Sequence, residues 1–390
     1  MAGTAALELG LEVMLSRACR RPFETPSGHV VRCGSRLKAE CEGCSALHVG
    51  DWRSIIRSGV FDAGTGYRFF LLTLTAPSFG AVHHVPREPG KRDLCKCGKR
   101  HSNEVDAGLR GVPVDLADYD YAGQVAWNAA SGRLWDATRA RLRALLPSLA
   151  FASVREWQAR GALHLHVLIR VEAKDAQKVP VVQAGKKRRS VPVITALVGA
   201  VTARGDDGIT VCWGANVDCR PVRADQATGR TIWYLTKAVG YLTKDVADGG
   251  GGHSLAGVEH WRRMDHAARR HRCPGCQRRR HRVLACGALL HRQWGARSHV
   301  VSVSRPSRDG SRPGWSLTGL TRARQREARL KWVRENFPMS ESEIREAATA
   351  RLARNQEASA LLAALARKRK SATQSLVSVT ASAGPPSHAG

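Results

Sequence analysis

The stretch that most restricts what this chain can become is AFASVREWQARGALHLHVLIR, residues 150–170, two alternating runs around Ala159, Arg160 and Gly161. Side chains of a strand point alternately to opposite faces. His164 and His166 therefore project together, and Leu163, Leu165, Val167 and Ile169 face a core. Gly161 can supply the left-handed conformation that a three-residue hairpin loop needs. With that loop, position 158 lies opposite 162 and Glu156 opposite His164. Cross-strand partners share a face, so Glu156, His164 and His166 converge. Two imidazoles and a carboxylate make a divalent-ion site with open positions, as catalysis on an oxygen-bearing substrate requires. The plainer alternative is a polar sheet face that happens to hold histidines.

A chain of 390 residues can bury a full core, as one large domain or two smaller ones. Its formal charge is +29 and its pI near 10.7, the footprint of a polyanion binder. A membrane surface is the competing polyanion. No run approaches the roughly 18 apolar residues of a spanning helix, so no membrane partner is expected. The apolar start of the chain is broken by Glu8 and Glu12 and has no basic region ahead of it, which reads as a helix and not a signal peptide. Eleven cysteines, an odd number, sit in short pairs interleaved with histidines. That pattern suits metal binding in a reducing cytoplasm better than a disulfide framework.

Along the chain, residues 67–77 read as a strand stopped by Pro77, and 119–146 as a helix with Val125, Trp127, Leu134, Trp135, Leu142 and Leu145 on one side. Lys186, Lys187, Arg188 and Arg189 form an exposed basic loop, a candidate DNA contact. Residues 193–203 predict a helix and 209–222 a strand or strand pair, with Cys212 and Cys219 as small core residues. Residues 231–246 predict a helix that carries Tyr-Leu-Thr-Lys twice. Tyr234 and Lys237, then Tyr241 and Lys244, share a helix face. A phenol with a pKa near 10 is a poor nucleophile, and a neighbouring ammonium with a metal-polarised phosphate would help it. An amphipathic core helix is the alternative. The remainder reads as basic helices to about residue 370 and a disordered tail.

Taken in order, FLLTLTAPSFG, YDYAGQVAWNAASGRLW, REWQARGALHLHVLIR and WYLTKAVGYLTK resemble the replication initiators of actinobacterial plasmids and integrative elements, over roughly residues 19–330. These belong to the H-x-H (His-hydrophobic-His) superfamily of rolling-circle tyrosine endonucleases. The resemblance implies an α+β fold: a five-stranded antiparallel sheet with flanking helices and the H-x-H on a central strand. It implies an enzyme that nicks one strand at an origin, linking the 5′ phosphate to tyrosine and freeing a 3′ hydroxyl as primer. His164, His166 and Glu156 match the ligands of Mg²⁺ or Mn²⁺. The tandem motif matches the nucleophile segment, with Tyr241 preferred and Tyr234 as partner. Here Ala238, Val239 and Gly240 separate the two units, where relatives often have none.

No G-x-x-x-x-G-K-[ST] motif is present, so partners expected beside origin DNA are a host helicase and DNA polymerase. Cys19, Cys33, Cys41 and Cys44 match a structural zinc site, for which His29 or His48 could replace one ligand. His83, Cys95, Cys97 and His101 match a second. Cys273, Cys276 and Cys286 with His271 or His281 are a weaker third. The expected organisation is a Cys-rich module over 1–66, a nicking domain over 67–248 with a zinc-binding insertion at 83–101, basic helices over 249–370 and a tail over 371–390. Two other functions fit the same residues: a transposase or conjugative relaxase using the same chemistry, and a non-catalytic zinc-containing DNA-binding regulator.

Overall fold

The hairpin read from residues 150–170 is the centre of a five-stranded antiparallel sheet in the computed structural model of the chain. The structure describes residues 41–184, 189–222, 254–271 and 301–336 except 206, with parts of 19–38, residues 294–295 and isolated positions from 340 to 357. In chain order, β1 (Phe23–Glu24) and β2 (Val30–Val31) precede α1 (Glu42–Phe61) and β3 (Tyr67–Thr75). The small hairpin β4 (Arg92–Leu94) and β5 (Arg100–Ser102) leads to α2 (Tyr121–Leu145), β6 (Ala150–Trp157) and β7 (Leu163–Glu172). Then come β8 (Val182–Gln183), β9 (Arg189–Ser190), α3 (Pro192–Gly199), β10 (Thr202–Arg204), β11 (Thr210–Cys212) and β12 (Asp218–Val222). Last are α4 (Leu255–Arg270), β13 (Val301–Val303) and α5 (Arg322–Asn336).

The main sheet runs β12-β3-β7-β6-β13, which puts the strand bearing His164 and His166 in the middle. Gly161, at φ +79°, takes the left-handed position in the turn, and Gln158 N donates to Ala162 O at 2.9 Å to close it. Glu156 then pairs with His164 and Val154 with His166, the register expected from the loop length.

Both faces of the sheet are covered. Leu163, Leu165, Val167 and Ile169 pack with Leu72 and Leu74 beneath Trp127, Leu134 and Leu142 of α2. On the other face, Leu168, Phe69 and Val154 meet Ile55, Ile56 and Val60 of α1 and the Trp315 indole. A Cβ at Gly59 would lie 2.2 Å from Trp315 Nε1, so only glycine admits the ring there. Arg170, on this same face, is buried and donates to Gly59 O, Trp315 O and Gly314 O at 2.7, 2.5 and 2.6 Å. Helix α1 and Trp315 thus cover the Arg170 end, and His164, near the other end, lines a cleft.

Several expectations need correction. The helix expected over 193–203 ends at Gly199, and Thr202–Arg204 turns into a strand paired with β11. Residues 209–222 hold two strands of different sheets; Cys219 is buried as expected, but Cys212 is exposed. The C-terminal part is not purely helical. Val301–Val303 is the edge strand of the main sheet, paired with Ala152–Val154. The chain divides into two compact units, 1–48 with 328–390, and 49–327. Among the described residues no helix is long and apolar enough to cross a membrane.

Candidate active site

His164 and His166 stand on one face of β7, with ring centroids 4.4 Å apart. Glu156 Oε2 lies 3.3 Å from His166 Nε2. The other His166 nitrogen, Nδ1, is 3.3 Å from Thr73 Oγ1, directly across the β3–β7 pairing. His164 Nδ1 is buried with no hydrogen-bond partner among the described residues. The hydroxyl of Thr73 was missed from sequence, yet a signal existed: Thr73 and Thr75 alternate with leucines and fall opposite His166 and His164.

Electrostatics favour ligand forms here. Burial, with the charge of His166, pushes the His164 imidazole down to about 4. A neutral imidazole is the form that binds metal. Burial works to raise the Glu156 carboxyl but is outweighed by the hydrogen bond from His166 and the charges of His166, His164 and Arg87, so it stays ionised. The donor set, one carboxylate and two imidazoles on a common face, therefore fits a divalent cation.

Buried polar groups of α2 hold the turn below this set. Gln124 Nε2 donates to Arg160 O at 2.9 Å. Asn128 Nδ2 donates to Gly161 O at 3.0 Å, and its Oδ1 accepts from Leu163 N at 3.1 Å. Neither residue was singled out from sequence. Two amides at i and i+4 on the apolar side of a helix were the available sign.

His164 and Glu156 open into a cleft of about 960 Å³ whose other wall is the segment between β3 and α2. That segment brings together His83, Cys95, Cys97 and His101, whose ligand atoms all lie within 4.8 Å. His83 Nδ1 is 3.2 Å from His101 Nε2, and Cys97 Sγ is 3.2 Å from the same nitrogen. Asp106 Oδ2 sits 3.2 Å from His101 Nδ1 and so orients the ring, as a carboxylate behind a ligating histidine does. Burial and the charge of His101 lower the His83 imidazole.

Cys19, Cys33, Cys41 and Cys44 form the second such set, with Cys33 Sγ 3.7 Å from Cys44 Sγ and Cys41 Sγ 3.9 Å from Cys19 Sγ. Burial, reinforced by the neighbouring thiols, pushes Cys33 up to about 12, a crowding that a cation would relieve. Of the remaining predicted positions, Arg189 is exposed on β9 and is not among the residues that line the His164 cleft. Tyr234, Lys237, Tyr241, Lys244, Lys186, Lys187, Arg188, Cys273, Cys276 and Cys286 lie outside the described residues.

Glu156 and His164 of the central antiparallel hairpin thus share a cleft with the side chains of Arg87, Lys91, Lys96, Arg110 and Arg160. The family RepSA, described as "Replication initiator protein, pSAM2", matches residues 18–376. The chain belongs to this family of replication initiator proteins. It is similar to the replication initiator protein of Streptomyces ambofaciens, 32% identical over 231 residues, 51% of this chain and 49% of that protein. The match thus spans about half of that relative's length. A shorter stretch of 88 residues is 34% identical to the nuclear pore complex protein Nup133 of Danio rerio, 23% of this chain and 7% of that protein. No solved structure matches.

Proposed function

We propose that this chain starts replication by nicking one DNA strand at an origin, with a tyrosine of the tandem motif as nucleophile. The observation that carries the reading is the register of the central hairpin, which sets Glu156 opposite His164 at the mouth of the cleft. Family membership supports the origin as the substrate. His164, His166 and Glu156 would hold Mg²⁺ or Mn²⁺; imidazole ligands favour Mn²⁺ in affinity. Such an ion, when bound, polarises the scissile phosphate and offsets charge that builds up on it.

The protein's own groups supply the rest. The phenol of Tyr241, or of Tyr234, gives up its proton and its oxygen attacks phosphorus. The bond from phosphorus to the 3′ oxygen breaks, that oxygen takes a proton, and a 3′ hydroxyl is left as primer. The 5′ phosphate stays joined to tyrosine, which conserves the phosphodiester for rejoining. Lys237 and Lys244 lower the cost of forming phenolate. Zinc in each of the two thiol-containing sets braces the scaffold, and duplex unwinding and synthesis fall to a host helicase and polymerase.

The test is nicking of supercoiled origin plasmid with added Mg²⁺ or Mn²⁺. His164→Ala and His166→Ala should abolish it with little loss of origin affinity, because affinity rests on many phosphate contacts. Mass spectrometry of the adduct identifies the tyrosine. Full cleavage by the double alanine variant overturns the metal assignment. An adduct in the Tyr234→Phe/Tyr241→Phe variant overturns the nucleophile.

A further inference from the structure

The wall facing Glu156 and His164 is anchored by its own bonds. His83 N donates to Val112 O at 2.7 Å and Gly111 N to His83 O at 3.1 Å. The Arg110 guanidinium reaches Val85 O, Pro86 O and Asn103 Oδ1 at 3.0, 2.9 and 2.6 Å. Val85 and Pro86 are buried by this clamp, and Arg87, the next residue, emerges into the cleft. Further along, a tight turn closed by Gly98 N on Cys95 O at 3.0 Å presents Lys96 to the same cleft.

Most cations lining the cleft are already engaged. Arg110 is spent on the clamp. Arg160 donates to Ala76 O and Pro77 O at 3.3 and 3.0 Å. Lys91 lies 3.6 Å from Asp93 and 3.9 Å from Glu88. The exposed side chains of Arg87 and Lys96 make neither a hydrogen bond nor an ion pair among the described residues. Arg87 also acts on the site electrostatically, being one of the charges that hold the Glu156 carboxyl down.

We propose that Arg87 and Lys96 bind backbone phosphates of a single DNA strand laid across this cleft, opposite Glu156, His164 and His166. The assignment rests on the nicking reading for its reaction. Arginine can grip a phosphate through two N–H groups, and lysine adds a point charge. Both then belong to substrate positioning and act through the strand, with the scissile phosphate left to the opposite wall.

The experiment is binding of a labelled oligo-dT of about 16 nucleotides, the upper end of a single-strand site, to the full chain over a range of salt. Each lost phosphate contact should reduce the slope of log affinity against log salt by about 0.7. The Arg87→Ala/Lys96→Ala variant should therefore lose about 1.4 of slope, and Arg87→Lys/Lys96→Arg should retain it. Arg141→Ala, an exposed cation of α2 outside the cleft, should leave the slope unchanged. An unchanged slope in the double alanine variant, or an equal loss in Arg141→Ala, overturns the assignment. Because the readout is binding, a wild-type chain that shows these slopes but never nicks refutes the nicking reading and leaves the phosphate wall standing.

Discussion

His260 has no exposed surface; its Nδ1 is 3.3 Å from the Tyr121 hydroxyl and its ring is 4.7 Å from that of Trp261. Burial pushes this imidazole down to about 4. In the unfolded chain it would titrate near 6.5, so between about 6.5 and 4 the unfolded state binds a proton that the folded state refuses. The stabilisation is complete above 6.5 and is lost as pH falls through that window, at about 1.4 kcal/mol per unit. His164 shifts the same way, so the informative quantity is a difference between two profiles. His260→Phe, which keeps an aromatic ring, should flatten stability against pH from about 6.5 to 4 relative to wild type. Identical slopes in denaturant titrations of the two proteins would show that His260 is not the source. Nothing in the sequence around residue 260 separated this histidine from its basic neighbours, because burial comes from α2 packing on α4.

At the scale of elements, the central hairpin owes its shape to a helix that is distant in sequence. Asn128 satisfies Gly161 O, Leu163 N and Trp294 O from the buried side of α2. Truncating a buried hydrogen-bonding group strands its partners at about 1–3 kcal/mol each, partly relieved by relaxation. Asn128→Ala should cost about 2–4 kcal/mol in denaturant unfolding, and Asn128→Asp should be no better, since a carboxylate oxygen would replace the donor aimed at Gly161 O. A loss under about 0.5 kcal/mol, the level of an ordinary surface change, would mean that the amide does not hold the turn. The alternation of β6 and β7 and their register were legible beforehand, as a period of two with a glycine at the turn admits few alternatives. The clamp was not, because side-chain bonds between elements leave no period in the chain. Nor was β13: Val301–Val303 is three residues long, too short for a pattern, and only its pairing with β6 makes it a strand.

For the whole molecule, a charge of +29 favours encounter with polyanions, while two compact clusters of thiols and imidazoles bear on folding. Cys19, Cys33, Cys41 and Cys44 belong to the unit of 1–48 with 328–390, and His83, Cys95, Cys97 and His101 to the unit of 49–327. Structural zinc contributes on the order of 10 kcal/mol where a site forms only on folding. Protein purified without chelator should carry about two zinc ions per chain. Cys41→Ser should remove one and Cys97→Ser the other, since the sets lie in separate units. Metal analysis that finds no zinc, or one substitution that empties both sites, would refute the assignment.

By itself the sequence determined the central hairpin, the common face of Glu156, His164 and His166 and the long helix ending before Pro147. Each of these follows from local rules: strand alternation, loop length and helical period. Tertiary structure alone decided that Thr73 engages His166, that Gln124 and Asn128 hold the turn, that Cys212 faces out, and that the sheet takes its edge strand from residues 301–303. It also decided that the 83–101 insertion stands across a cleft from the H-x-H face. The reason is the same throughout: which distant segments meet depends on how faces are buried against one another, and the period of a single segment carries no record of its partner.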